Sequence, residues 1–409
     1  MIHDALIIGG GPAGATAAIL LARAGWSVAL IEKKAFPRRK VCGEFISATS
    51  LPLLRRLGVL DAFAAAAGPP VRRVGLFARD AVIAAPMPHP VPVITESFGR
   101  ALGREHLDLL LRDAAARAGA IICQPASVER VQRDGDATLC SIDAGAAQQT
   151  MCARIVIAAH GSWEPGALPT QSDRAHKPSD LIAFKAHFRD SALPADLMPL
   201  LAFPGGYGGM VTTDAGRVSL SCCIRRDSLS EARRLRPGAA AGEAVLRHIM
   251  RNCDGVDDAL CGATLDGAWL AAGPIRPGIR ARERDGMFAV GNAAGEAHPI
   301  VAEGISMAMQ SAWLLCRALV AQPAARTDPA ARRAAGRAYA ADWRAAFALR
   351  LYASSLFAHL AMRPSSAAGL LPLIARVPGI LTVGARLSGK ARDLPDSAVQ
   401  TLANTGLRG

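Results

Sequence analysis

The chain has 409 residues, 51% hydrophobic and 5% aromatic, and 47 Lys and Arg against 34 Asp and Glu give a formal net charge of +13. That length exceeds one folding core and implies two interleaved domains with ample apolar filling, while the lack of any run of eighteen uncharged apolar residues argues against a transmembrane segment. The basic residues are dispersed with little aromatic interleaving, which disfavours nucleic acid and leaves an acidic partner, an anionic substrate, a membrane surface or a plain arginine-rich exterior.

Residues 5–8 form an apolar run of strand length that ends in Gly9-Gly10-Gly11-Pro12-Ala13-Gly14. A helix rich in Ala and Leu is predicted over residues 15–24, closed by Gly25. Residues 27–31 then make a second strand with Glu32 at its end. Gly9, Gly11 and Gly14 have the G-x-G-x-x-G spacing of a dinucleotide site. The first permits the tight turn, the second lets a pyrophosphate touch the backbone, and the third lets helix and strand pack closely. The free N–H groups of the helix face the phosphates, and Glu32 is placed to accept hydrogen bonds from a ribose diol. No basic region precedes the first apolar run, so a signal peptide is not expected. The nine cysteines are scattered and show no C-x-x-C pair, which suits reduced thiols in a cytoplasmic protein and no metal site.

A polar, basic loop follows Glu32 and contains Cys42-Gly43-Glu44, before an amphipathic helix predicted over 47–60. Lys40-Val41-Cys42-Gly43-Glu44 is similar to a Lys-x-Cys-Gly-Glu stretch of flavoproteins of the geranylgeranyl reductase branch. The wider superfamily is that of FAD-dependent aromatic hydroxylases (class A flavin monooxygenases) and tryptophan halogenases. Residues 71–98 read as short, proline-rich strands of an inserted sheet. A helix opens at Arg104 and is capped at Gly119. Its Arg-x-x-Leu-Asp pattern resembles the superfamily's second FAD segment, where an arginine lies over the cofactor; the plainer alternative is a solvated first-turn residue. Residues 123–151 alternate as a small antiparallel meander, turning at Gly135 and Gly145. The next buried strand ends in His160-Gly161, where the aromatic hydroxylases carry Asp-Gly. A structural role for His160 is favoured over catalysis.

Residues 182–188 alternate as a strand, and residues 203–210 read as a glycine-rich turn bearing Tyr207, followed by a strand over 217–224. Tyr207 either faces the substrate or sits exposed at a hairpin tip. The stretch from Gly286 to Ala308 runs strand, glycine turn and helix. It resembles the reductase branch's Gly-Asp-Ala-Ala-Gly and Pro-x-x-Gly-Glu-Gly-Ile. Asn292 stands for the aspartate expected to hold the ribityl chain, and its amide can still bond a hydroxyl. Ala302 stands for the first glycine of the later loop, a change expected to shift that loop beside the flavin. A helix starting at Gly304 would aim its free N–H groups at the flavin pyrimidine carbonyls. Residues 332–362 are helical by pattern. The tail beyond mixes apolar segments with Pro and Gly, which allows peripheral contact with a membrane or a partner, though packing on its own domain is favoured.

The resemblance implies an α/β fold: a Rossmann-like FAD-binding domain (1–70, 99–175, 275–330) interleaved with a β-sheet substrate domain (71–98, 176–274), and a helical C-terminal region (331–409). It implies FAD held by Gly9, Gly11, Pro12, Ala13, Gly14, Glu32, Lys33, Cys42, Arg104, Val128, Gly291, Asn292, Gly304 and Ile305. Cys42, Glu44 and Tyr207 are expected beside the reactive ring. The implied activity is a monooxygenase that hydroxylates an organic, aromatic or biosynthetic-intermediate substrate through a flavin C4a-(hydro)peroxide. NAD(P)H visiting transiently, or a separate reductase, would supply electrons. Two alternatives stay open: a double-bond reductase of the geranylgeranyl reductase type, and an oxygenase or flavin module acting on a protein or carrier-bound partner. Halogenation is least expected, because the Trp-x-Trp-x-Ile-Pro motif is absent.

Overall fold

The computed structural model describes residues 2–89, 98–145, 148–162, 165–171 and 175–390. Residues 90–97 of the expected inserted strands and 391–409 of the expected C-terminal region lie outside the described residues.

β1 (Ile2–Ile8), α1 (Pro12–Arg23) and β2 (Val28–Ile31) make the opening unit. β1 is buried from His3 onward, so it reads as an unbroken apolar strand with both faces covered. Gly25, at φ 78, follows α1 as the left-handed residue that ends it. The predicted helix over 47–60 is instead broken into a short turn and a helix at Leu51–Arg56. Gly58 (φ 68) then interrupts it before Leu60–Ala66.

Further along come β3 (Arg73–Ala78), β4 (Ala81–Pro86), α2 (Arg104–Arg117), β5 (Ile121–Cys123), β6 (Ser127–Asp134), β7 (Ala137–Asp143) and β8 (Gln148–Ala158). They are followed by β9 (Leu181–Arg189), β10 (Leu197–Phe203), β11 (Gly206–Thr212), β12 (Val218–Arg225), β13 (Leu270–Ile275) and β14 (Met287–Ala289). One sheet runs β14-β8-β1-β2-β5, all parallel, with Glu283–Arg284 added antiparallel at the β14 edge. The β6–β7 hairpin extends the first half of β8 as the expected meander. A second sheet runs β9-β12-β11-β10-β3-β4, with β13 beside β9. Here β3 and β4 join strands that lie a hundred residues later in the chain, and β3 pairs with β10 in parallel.

Much of the stretch read as a glycine-rich turn is strand β11; only Pro204 and Gly205 turn. Glycine serves sheet packing there, since a Cβ on Gly208 would lie 2.7 Å from the Ser221 carbonyl on β12.

α3 (Gly304–Val320) packs on α1, and α4 (Pro329–Met362) lies across both α3 and the end of the second sheet. Its inward residues are Tyr339, Trp343, Phe347, Leu351, Ser354 and Ala358, spaced three or four apart on one face. Tyr339 donates its hydroxyl to the Ala289 carbonyl at 2.7 Å. Trp343 lies over Gly295, where a Cβ would meet the indole at 2.5 Å. Among the described residues α4 is one helix long and apolar enough to cross a membrane by length and composition. The count of uncharged runs passed over it because Arg350 interrupts the apolar stretch.

Trp343 is 1% exposed and fixes α4 against the third glycine turn. Trp343→Ala is expected to cost about 3–5 kcal/mol, read as a lower urea midpoint. A loss below about 1 kcal/mol would show that α4 packs without this anchor.

Candidate functional site

A cleft of about 520 Å³ runs between the two sheets, from the glycine turn after β1 to the second sheet's inner face. Every residue singled out from the sequence for cofactor or catalysis lines it, except Gly14. Gly14 lies behind, where a Cβ would collide with the Gly9 carbonyl, so its part is the close packing of strand and helix. Gly9 has φ 108, and a Cβ there would lie 2.6 Å from the Ala159 carbonyl.

The residues fit an FAD. No side chain caps α1, so the N–H groups of its first turn open to the cleft as a phosphate cradle. Glu32 is buried, and its oxygens accept from Gly10 N–H at 2.7 Å and Lys34 N–H at 2.9 Å. Arg38 Nη2 donates to the same carboxylate at 3.3 Å, so of its roughly four acceptor positions about one remains for a ribose hydroxyl. Lys33, exposed, and Val128, half-buried, flank that end of the cleft.

Arg104 opens α2 and reaches back over Gly11, its Nη2 3.5 Å from where a Cβ would stand. Nε and Nη2 both donate to Asp108, each at 2.7 Å. Burial opposes the charge, but Asp108 and the Cys42 sulfur beside the guanidinium hold it firmly protonated. This is a buried, oriented cation, not the solvated alternative. Lys40 also lines the cleft; burial, and then Arg104 and Arg38 nearby, push its pKa down. It opens the Lys40-Val41-Cys42-Gly43-Glu44 stretch but was not among the expected site residues.

Glu44 is fully buried at φ 64, an uncommon conformation for a residue with a side chain. Its carboxylate pairs with Lys185 and accepts from His187 Nε2 at 2.8 Å, and it receives the Arg104 backbone N–H at 3.1 Å. Burial alone would raise its pKa. The bonds from His187 and Lys185 outweigh that and hold it below the usual carboxylate range. Glu44 was expected beside the reactive ring. It edges the cleft, but its carboxylate is committed to two side chains of β9. Lys185 and His187 were not singled out, although their i, i+2 spacing in a buried strand places both on one face. Cys42 is half-buried, and its sulfur accepts the Glu44 N–H at 3.4 Å.

On the third segment, Gly291 (φ 61) donates its N–H to Ser311 Oγ at 2.6 Å. Asn292 donates Nδ2 to Glu296 at 2.8 Å. Glu296 also takes the Ser162 hydroxyl at 2.7 Å, and burial raises its pKa. Ala302 takes φ 50 and ψ 39, a left-handed conformation that favours glycine. The uncapped N-terminus of α3, at Gly304 and Ile305, opens to the cleft. His160 bonds Thr170 Oγ1 at 2.7 Å at the cleft wall.

Tyr207 is 1% exposed, not at a hairpin tip, and its hydroxyl meets His298 Nδ1 at 3.0 Å. Burial, and then the neighbouring His359, push the His298 imidazole down to about 4 from 6.5. The sequence carried no signal for this pair, because β11 and the loop before α3 meet only in the fold.

Two expectations follow. Glu32→Lys places a cation beside the phosphate cradle and removes the diol acceptor; the purified variant should lack flavin, and a normal flavin absorbance would sink the assignment. His298 is neutral in the fold where the unfolded chain binds a proton, so the unfolded state holds more protons between pH 4 and 6.5. Stability should therefore rise with pH across that window, by on the order of 3 kcal/mol from this residue. The slope of urea midpoints against pH should flatten in His298→Gln.

The FAD binding domain family model matches residues 3–331. Conditioned medium factor receptor 1 of Dictyostelium discoideum is 27% identical over 353 residues, 78% of this chain and 63% of that protein, so the chain spans less than two thirds of that relative. Digeranylgeranylglycerophospholipid reductase 2 of Methanothermobacter thermautotrophicus is 26% identical over 325 residues, 76% of each chain. Among solved structures, the flavin-dependent brominase Bmp2 superposes with a TM-score of 0.73 at 19% identity, covering 99% of this chain and 97% of that one. Pseudomonas aeruginosa PqsL in complex with 2-aminobenzoylacetate gives 0.71 at 19% identity, covering 91% and 100%. With a glycine cradle, a buried acid and an uncapped helix all turned to one cleft, and a family model spanning most of the sequence, the chain belongs to the FAD binding domain family.

Proposed function

We propose that this chain is a monooxygenase that hydroxylates a compact, aromatic organic substrate. The observation that carries the reading is the apolar closure of the cleft's inner end. Val41, Met198, Leu200, Val211, Ile275 and Ile300 wall it, and the polar Tyr207–His298 pair stands among them. A dry, shaped chamber with one polar point suits chemistry that water would quench. PqsL in complex with 2-aminobenzoylacetate supports an aromatic substrate by analogy of fold alone.

When bound, FAD supplies the two-electron reduction and oxygen-activating chemistry. The protein's residues do the rest. The first turn of α1 and Glu32 hold the pyrophosphate and ribose, and Arg104 adds a fixed positive charge above Gly11. The N-terminus of α3 presents its N–H groups and positive dipole end, which favours negative charge on a reduced ring. Asn292, oriented by Glu296, offers its amide to the ribityl chain. Tyr207 orients the substrate by its hydroxyl. Electrons come from NAD(P)H visiting transiently or from a separate reductase.

A second reading, reduction of an isolated double bond in an isoprenoid, is favoured by the alignment with the digeranylgeranylglycerophospholipid reductase over three quarters of both chains.

The test is to photoreduce the purified holoprotein without oxygen and mix it with ¹⁸O₂ and a panel of simple phenols. The expected result is one ¹⁸O atom in a product. Anaerobic reoxidation by a geranylgeranyl lipid, with two hydrogens gained and no oxygen, would replace the oxygenase by the reductase.

A further inference from the structure

We propose that the C-terminal helices form a docking face for an anionic phospholipid leaflet, on which this chain rests without spanning it. The proposal goes beyond the reading above and stands for either the oxygenase or the reductase.

Seven of the thirteen large apolar side chains exposed among the described residues fall between 349 and 387, so the exposure is concentrated in one stretch and not scattered. On α4 they are Leu349, Tyr352 and Leu356, at three- and four-residue spacing. At 3.6 residues per turn this stripe lies opposite the core stripe of Phe347, Leu351, Ser354 and Ala358. Tyr352 is 68% exposed. Earlier on the same helix the exposed positions include Arg337, Ala341, Arg344 and Ala345, so the outer face turns from basic to apolar at Leu349. Two shorter helices follow, α5 (Pro364–Arg376) and α6 (Gly379–Ala385). Leu373 and Val377 stand out at the end of the first, Val383 and Leu387 on and just past the second.

These helices are pinned to the body of the protein. Arg350, on the inner side of α4, donates to Gln310 Oε1 at 3.1 Å. Thr382 on α6 donates its hydroxyl to the Pro86 carbonyl at 2.7 Å, and Lys390 beyond it bonds Glu303 at 2.9 Å. The chain turns through 112° between α5 and α6, and α5 has 13 residues, short of the roughly 20 that cross a bilayer. Such helices lie in the leaflet surface, with their apolar side sunk about 5–10 Å.

Charge selects the occupant. From Trp343 to Lys390 the sequence holds no Asp or Glu. Arg363, Arg376 and Arg386 are exposed, each at the C-terminal end of one of the three helices. A long arginine stem reaches from an apolar face to the phosphate level, and anionic headgroups supply the counter-charge. Tyr352 spans the same boundary with its ring and hydroxyl. A second copy docked on this face would set arginines against arginines, with no acid in the stretch to pair them. The inner side of these helices closes the cleft: Ala358 packs with Tyr207 and Ile300, and Ala385 with Met198 and Val211. A docked molecule therefore holds the inner end of the cleft one helix diameter, roughly 10 Å, from the leaflet.

The test is flotation of the full-length protein with vesicles of phosphatidylglycerol and phosphatidylcholine in equal parts. Binding is expected there, falling as salt rises, and on the order of 10²-fold weaker on phosphatidylcholine alone. Changing Arg363→Ser, Arg376→Ser and Arg386→Ser together should lower affinity for the mixed vesicles by a similar factor. Leu349→Gln, Tyr352→Gln and Leu356→Gln together should lower it on the order of 10²-fold. All six positions are exposed, so the urea midpoint of both variants should match the parent. Absence of binding to the mixed vesicles, or equal binding by the apolar triple variant, overturns the proposal. A doubled mass in light scattering that the same variants abolish also overturns it, and gives the face to a second copy. The ¹⁸O₂ experiment above reads out independently of every one of these results.

Discussion

One buried carboxylate joins the two halves of this molecule. Glu44 leaves the loop after the first nucleotide unit with its backbone in a left-handed turn and pushes its side chain into the second sheet. There Lys185 and His187 surround it, and the N-terminal N–H of α2 completes its bonds. A charge excluded from water is tolerable only when its partners are this complete. The requirement runs in both directions: Lys185, itself fully buried, needs Glu44 as much as Glu44 needs it. The cleft therefore has a fixed width at this point, because neither sheet can withdraw without exposing an unpaired charge to an apolar interior.

The same logic explains how a family pattern survives two substitutions. Asn292 lacks the charge of an aspartate, yet Glu296 lies four residues on and sets the direction of its amide. Ala302 keeps a glycine's left-handed turn, a conformation that costs a residue with a Cβ roughly 1–2 kcal/mol. Glu303 just after it is buried and held by Ser47 and Lys390. Strain at one residue is held in place by bonds at the next.

What could be read from the sequence was the local part. Gly9, Gly11, Gly14 and Glu32 declare themselves because a single unit of strand, turn, helix and strand decides their neighbours. The N-terminus of α3 and the meander of β6 to β8 were legible for the same reason. The misjudged places depended on distant chain. Residues 206–212 are strand because β12 lies alongside, and only tertiary pairing makes close approach the reason for their glycines. Glu44 lines the cleft where a ring-side residue was expected, and its partners on β9, some 140 residues later, were out of reach of any local pattern. Tyr207 could not be told from an exposed tip until His298 and α4 covered it. The i, i+2 placement of Lys185 and His187 was a usable sign: two ionisable residues on one face of an otherwise apolar strand require a partner.

Lys390 has a further consequence. Its ammonium bonds Glu303 and the Val301 carbonyl, in the loop that leads into the helix beside the flavin. A chain is made from its N-terminus, and its early units fold first. The loop at 301–303 receives its anchor only when residue 390 has emerged. That loop therefore takes its final bonds only after the whole of α4, from 329 to 362, has been made.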